Sequence, residues 1–478
     1  MNLLATLGVA ADALGAYSQA LQVTENNVTN ASTPGYAKQT QTMLPNAFDP
    51  TSGDAGGVTA GPVMSARDEF AEQAVRNQNV LLGAASQNVS SLTSLQTVFD
   101  VSGDTGISYA LNNLFQSFSA WAQSPADSNA QQSVIDNATS LAGAFNDAAS
   151  GLQTVAQNAN QQIQATVNEV NQLVGKLRQY NVQEMNGDRN DPGLDAQVHS
   201  TLEQLSQYVD VTATKGDNGA WTVLLDGQTP LLVGSQQYQI SEGLELPADA
   251  TNPNGPPQAF IQAADGTDIT STIATGQLGA LLDFRNNVLA SYMGSGTQQG
   301  ELNIMAQQFA DRVNAELTAG NVSDGPPAVT GTALFTYDTA NAANVAQSLA
   351  VNPSITAGQL AAIDPGPPEV SNGVPLALSE LANPQSGADE INGKSYSEYY
   401  GDMASQVGSL LSQATDEQTV QQSALAQAQN VRQQVSGVDL DAEAMTLTQF
   451  QQAYDAVSRM ISVLDQVTED AINILAAT

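Results

Sequence analysis

His199 is the only histidine in the chain, and no cysteine accompanies it. An imidazole titrating near neutrality suits general acid–base work, but only with a carboxylate or nucleophile held against it. Around His199 the sequence offers Gln and Ser on a polar helix, which reads as a solvated side chain. The lack of Cys excludes disulfides and thiolate metal sites, and with one His it excludes Cys–His and multi-His catalysis within this chain. "DLDAE" (439–443) brings Asp439, Asp441 and Glu443 close together and invites a calcium reading. The loop length and central glycine of an EF-hand are missing, whereas acidic residues at a helix start cap free N–H groups and complement the macrodipole. "DRNDPG" (188–193) is read in the same way, as a loop. No G-x-x-x-x-G-K-[ST], G-x-S-x-G or H-E-x-x-H pattern occurs. The chain therefore reads as no enzyme, with no catalytic, cofactor or metal residues.

What the chain does carry is a pair of apolar stripes at its two ends. Leu7, Leu14, Leu21 and Val28 recur every seven residues, and Leu3, Ala10, Tyr17 and Thr24 fill a second seam position. Leu440, Leu447, Tyr454, Ile461 and Leu475 repeat likewise, with Phe450, Val457, Leu464 and Ala471 beside them. Heptad stripes without a local partner predict pairing with each other and with neighbouring subunits.

Between them the chain reads as mainly α with a β-rich segment. The stretch 38–66, rich in Gly, Pro and Thr, is an extended linker or a short hairpin. Helical spacing covers Asp68 to Phe99, with Phe70, Ala74, Leu81, Ala85, Leu92, Leu95 and Phe99 as its apolar face. "GDTG" (103–106) breaks it before a helix carrying Ile107, Leu111, Leu114, Phe115, Phe118 and Trp121. A long Gln/Asn-rich helix runs from Ala130 to Glu184, with an interruption expected at Ser150-Gly151, and a shorter one covers Leu194 to Tyr208. The period then drops to two at Val209, Val211 and Ala213 and at Trp221, Val223 and Leu225, with a turn at Asp226-Gly227. Helices return at 277–293 and 301–317, residues 320–393 read mostly as coil with short helices, and a last long helix spans Ser397 to Val435. The expected organisation is nested: 1–45 with 436–478 as a terminal coiled-coil module, 46–208 with 276–435 as a helical bundle, and 209–275 as the β-rich segment.

Composition narrows the partners. Forty-eight acidic residues against 12 basic ones give a formal charge of −36, which repels phosphate backbones and anionic lipid. Nucleic acid and membrane surfaces are thus poor partners, and self-assembly must rest on apolar seams and hydrogen bonds. "MNLLATLGVAADALG" has no basic n-region and reads as neither a cleaved signal peptide nor a membrane span, so export is expected to use another route. A cysteine-free chain suits passage between reducing and oxidising spaces while unfolded.

"NNVTNASTPGYAKQT" (26–40) resembles the N-terminal signature of flagellar axial proteins, with Asn26, Asn27, Asn30, Thr33, Gly35, Tyr36, Lys38 and Gln39 in register. "SGVDLDAEAMTLTQFQQAYDAVSRMISVLDQ" (436–466) resembles the C-terminal pattern of the hook-associated protein 1 family at Ser436, Gly437, Val438, Leu440, Asp441 and Glu443, followed by Gln452, Ala453 and Tyr454. "GISYALNNLFQSFSAWAQSPAD" and "ATGQLGALLDFRNNV" are similar to mid-chain segments of that family. Lys38 stands where Arg is usual and Ala442 where a second acid often sits, and a large outer β-domain of some members looks absent after "DRVNAEL". The resemblance implies a structural protein at the hook–filament junction of the bacterial flagellum, exported through the flagellar type III apparatus. It implies as partners other copies in a ring, the hook protein, other hook-associated proteins, and an export chaperone on the C-terminal helix. Leu7, Leu14, Leu21, Leu447, Tyr454, Ile461 and Leu464 would then line the axial tube. The rival readings are another axial protein, such as the hook protein or the third hook-associated protein, and a secreted coiled-coil adhesin. A hook protein should be mostly β between its terminal helices, and an adhesin should show repeats, which are not found.

Overall fold

The computed structural model describes residues 3–49, 54–99, 105–187 and 191–476; the side chains of Leu3 and Leu475, the first half of the "GDTG" break and the first half of "DRNDPG" lie outside the described set. By internal contacts the chain forms two compact units. One gathers 1–80, 172–238 and 422–478, and the other 81–171 and 239–421. Among the described residues no helix is long and apolar enough to cross a membrane.

The first unit is built on the N-terminal helix Leu3–Asn30. Ala10, Ala13, Ala16, Ala20, Thr24 and Asn27 are its buried positions, spaced three and four apart. Small side chains there let neighbouring backbones approach closely. The C-terminal helix Leu440–Ala476 and the hairpin Gln39–Pro45/Val58–Ser65 both pack against it. The stretch 38–66 is thus a hairpin, antiparallel from Gln39↔Ser65 to Pro45↔Val58 with a bulge between Gln41 and Met43. In the same unit a four-stranded antiparallel sheet runs Val211–Lys215, Trp221–Leu225, Thr229–Val233 and Gln236–Gln237 in sequence order. Alternation buries Trp221, Val223 and Leu225 on one face. Asp226 and Gly227 both take positive φ, the signature of a tight hairpin turn whose twist matches its strands. Asn181, wholly buried on the helix Ser128–Asn186, donates to the Trp221 and Gly234 carbonyls and accepts from the Trp221 N–H, locking sheet to helix.

Three sequence expectations change here. His199 is 2% exposed, not solvated, because its face of the helix Pro192–Tyr208 lies against the sheet, edge-on to Trp221 at 5.2 Å. Phe70 is 85% exposed and Leu81 40%, while Ala71, Glu72, Val75, Arg76, Asn79 and Val80 turn inward. The start of helix Glu69–Gln96 therefore buries the face beside the one its large apolar residues marked, and accepts buried charge there. The β-rich stretch 209–275 is two separate sheets: the four-stranded one above, and a two-stranded one, Ser241–Glu245 with Gln258–Gln262, in the second unit.

The second unit is a helical core. Leu92, Leu95, Phe99, Ile107, Leu111, Leu114, Phe118, Trp121, Leu141 and Phe145 join Tyr292, Phe309, Tyr396 and Tyr400 in one cluster. Its aromatic rings meet edge-on or tilted, as at Phe309–Tyr396 (5.1 Å, 84°) and Phe99–Tyr292 (5.1 Å, 54°). The helix Ser128–Asn186 runs unbroken for 59 residues, so the expected interruption at Ser150-Gly151 does not occur. Gly151 serves close approach instead: a Cβ there would sit 3.2 Å from both Cγ atoms of Val98. The helix Gly276–Asp283 passes into a π turn at Phe284–Val288 before Leu289–Met293.

Candidate assembly interface

The two terminal helices run antiparallel. Late in the first, Asn27 meets Glu443 near the start of the other, and earlier in the first, Tyr17 meets Phe450 with ring centroids 6.3 Å apart. On the C-terminal helix Leu447, Phe450, Tyr454, Val457, Ile461 and Leu464 form a half-buried stripe at three-to-four spacing. On the N-terminal helix Leu7, Leu14 and Leu21 are half-buried and Val28 is 41% exposed. The tight seam lies one face over, along the alanines, since only a small side chain fits where two backbones come close.

The C-terminal helix carries a second apolar stripe that none of the described residues covers. Met460, Val463, Val467 and Ile474 are 43–67% exposed, the first two each next to a member of the paired stripe, and Met445 and Ile472 are exposed as well. Heptad spacing marks the first stripe on this helix and not the second. Met and Val at the neighbouring heptad positions were the available signal.

The signature residues converge on one point. Asn27, 1% exposed, donates through Nδ2 to the Gln39 carbonyl (2.8 Å) and to Glu443 Oε2 (3.0 Å). Its Oδ1 accepts from the Tyr36 hydroxyl (2.9 Å) and the Gln39 N–H (2.8 Å). Lys38 Nζ pairs with Glu443 Oε1 at 2.7 Å, and the Lys38 N–H donates to the Ser436 carbonyl. Ser436 Oγ in turn accepts from the Asp68 N–H. Glu443, 2% exposed, is thus satisfied by an amide and an ammonium, as a buried carboxylate must be. Burial, with the Glu443 charge beside it, pushes the Tyr36 hydroxyl up to about 12.

The remaining signature positions shape the approach to that knot. Asn30 donates back to Asn26 and accepts from the Thr33 hydroxyl, closing the helix end. Gly35 takes φ +75°, and a Cβ on it would collide with the Ala196 carbonyl oxygen. Val438 is buried and a Cβ on Gly437 would collide with the Gln433 carbonyl, whereas Leu440 is 53% exposed and Asp441 is exposed. Asp439 Oδ1 accepts from the N–H groups of Asp441 and Ala442 and so caps the C-terminal helix.

Beside the knot lies a charge cluster that the sequence did not reveal. Arg67 bonds Glu72, Asp195 and the Gly35 carbonyl, and Arg432 bonds Glu203 and Glu72. These partners are 5 to 360 residues apart in sequence, so no local pattern marks them. His199 Nε2 lies 3.6 Å from Glu69 and 3.7 Å from Asp195, beyond hydrogen-bond reach. Burial, with Arg67, Arg76, Lys215 and Arg432 adding to it, holds the imidazole well below its usual pKa and therefore neutral.

A knot, a cap and an apolar seam are devices for holding elements together, and comparison with known proteins agrees. Residues 92–335 match the family model described as the flagellar hook-associated protein FlgK helical domain, and 432–474 match that of the flagellar basal body rod FlgEFG protein C-terminal region. The chain is 26% identical over 503 aligned residues to flagellar hook-associated protein 1 of Bacillus subtilis, covering 98% of this chain and 97% of the relative. It is 22% identical to flagellar hook-associated protein 1 of Escherichia coli, covering 96% and 98%. The solved flagellar hook junction protein FlgK of Burkholderia pseudomallei shares its fold, with a TM-score of 0.64 at 16% identity over 76% of this chain and all of that one. The chain belongs to the FlgK family of flagellar hook-associated proteins, structural components of the bacterial flagellum that assemble with other flagellar parts.

Proposed function

We propose that this chain, a hook-associated protein at the hook–filament junction, joins copies of itself through its paired terminal helices. The observation that carries this is the uncovered stripe Met460, Val463, Val467 and Ile474 beside the stripe already used within the chain. Helices with two apolar faces bury one internally and leave the other for a neighbour. In a chain of charge −36, burial of such seams is what can overcome mutual repulsion.

The partners follow from that role: a ring of like subunits, the hook protein on one side and other hook-associated proteins on the other. Before assembly the exposed C-terminal stripe is where an export chaperone would dock. The protein acts outside the cell and catalyses nothing. The domain reading that accompanies this role keeps the termini as the axial module and the helical core as a second domain.

The test is Val463→Asp with Val467→Asp in one chain. The folded chain should keep its melting temperature within a few degrees, because both residues are exposed. Cells carrying it should show bare hooks under the electron microscope and shed flagellin into the medium. Normal filaments on those cells would overturn the assembly role of this stripe, and missing hooks would point to a rod or hook component instead.

A further inference from the structure

Arg285 is 3% exposed, and among the described residues no carboxylate pairs with it. Its Nε donates to Asn160 Oδ1 at 3.0 Å and its Nη2 to the Pro257 carbonyl at 2.8 Å, both neutral acceptors. The remaining N–H groups, on Nη1 and Nη2, meet no protein acceptor among the described residues. Burial alone acts on the group and lowers its pKa. An arginine nonetheless stays charged at any physiological pH. Arg76, the comparably buried arginine of the other unit, differs in having the Glu69 and Glu72 charges close enough to counter part of its burial. A buried charge without a counter-charge is expensive, and folded chains retain one where it meets something.

What Arg285 can meet is set by its surroundings. It lines a cleft of about 380 Å³ within the second unit, whose walls include Gln157, Asn160 and Asn254 together with apolar Met293 and Leu302. The residue sits in the π turn Phe284–Val288, a local widening of the helix that recurs at functional positions. The next residue, Asn286, is held firmly: it donates to the Ala259 carbonyl and accepts from the Ala259 N–H, so the turn that carries the guanidinium is fixed against the neighbouring strand. The cleft thus offers one fixed positive charge, neutral amides and an apolar wall.

We propose that this cleft binds a small organic carboxylate, with the Arg285 guanidinium as its counter-charge. A guanidinium edge matches the two oxygens of a carboxylate in a forked pair of hydrogen bonds. A single cation balances a single carboxylate, whereas a phosphate dianion would want a second one, and among the described residues no Lys or Arg besides Arg285 lines the cleft. The apolar wall fits a short hydrocarbon body and gives an organic acid an advantage over chloride.

The experiment is thermal unfolding of the full chain in millimolar butyrate, with sodium chloride and inorganic phosphate as references at matched ionic strength. Butyrate should raise the melting temperature in a saturable way, and the references should not. Arg285→Gln should abolish the rise. Should that variant fail to fold, Asn160→Asp decides the matter, since it places a carboxylate on the Nε of Arg285. That chain should melt higher than the unsubstituted chain without ligand and lose at least tenfold in apparent butyrate affinity. A wild-type rise no larger in butyrate than in chloride or phosphate, or an undiminished butyrate response in Asn160→Asp, would overturn the proposal.

Discussion

Asn27 makes four hydrogen bonds from one short side chain, to the chain beyond the first helix and to the start of the last. Asn27→Leu keeps the branched shape and removes all four, leaving the Gln39 N–H and one Glu443 oxygen buried without those partners. The expected loss is about 2–4 kcal/mol, read as a lower denaturant midpoint at unchanged slope. Lys38→Met should cost less, because its head is partly exposed and the Asn27 bond to Glu443 survives. His199 makes a second prediction at this scale. Its imidazole is held neutral in the folded chain, so below about pH 6.5 the unfolded chain binds a proton that the folded chain refuses. The stability it contributes is complete above that pH and is lost as pH falls toward the folded value. Glu69, whose carboxyl burial pushes up, works in the opposite sense and flattens the wild-type curve. Comparing melting temperatures of wild type and His199→Gln across that range isolates the imidazole: the variant should decline less steeply. Asn27 was legible in the sequence as part of a motif. Its role as the hub was not, because its partner Glu443 lies 416 positions away.

Helices were legible wherever apolar residues recur at three and four, and the hairpin turn at Asp226-Gly227 showed in two residues. What the pattern did not give was which face a helix buries when two are available. At Phe70 the larger side chain stays outside while the same turn buries Glu72 against Arg67 and Arg432, charges that lie outside this helix. At Gly151 the glycine read as a breaker is a contact point, a distinction that depends on Val98 being opposite. The C-terminal helix turns this ambiguity into a test. Ile461 belongs to the half-buried stripe that pairs within the chain, and Val463 is 59% exposed. Ile461→Asp should cost roughly 1–3 kcal/mol of folding stability, while Val463→Asp should leave the isolated chain as stable as wild type within about 0.5 kcal/mol. Equal losses from both, measured by urea unfolding, would mean that the two stripes are not divided between internal and external partners.

At the scale of the whole molecule, the sequence carried the flagellar resemblance at its two ends and the long helices between them. It did not carry the division into units, because boundaries at 80, 171, 238 and 421 fall inside or beside elements whose local pattern continues across them. The first unit is stitched from three separated stretches of chain, and its closing bonds join residues 27 and 38 to residues 436 and 443. That arrangement has a consequence in time. Ribosomes add about 5–20 residues per second, so with 416 positions between them Asn27 waits on the order of half a minute for Glu443 to be made. Through that interval the first helix has the hairpin Gln39–Pro45/Val58–Ser65 against it but not the C-terminal helix. The newborn chain is therefore open by design of its own order, and a chain released early stays open for good.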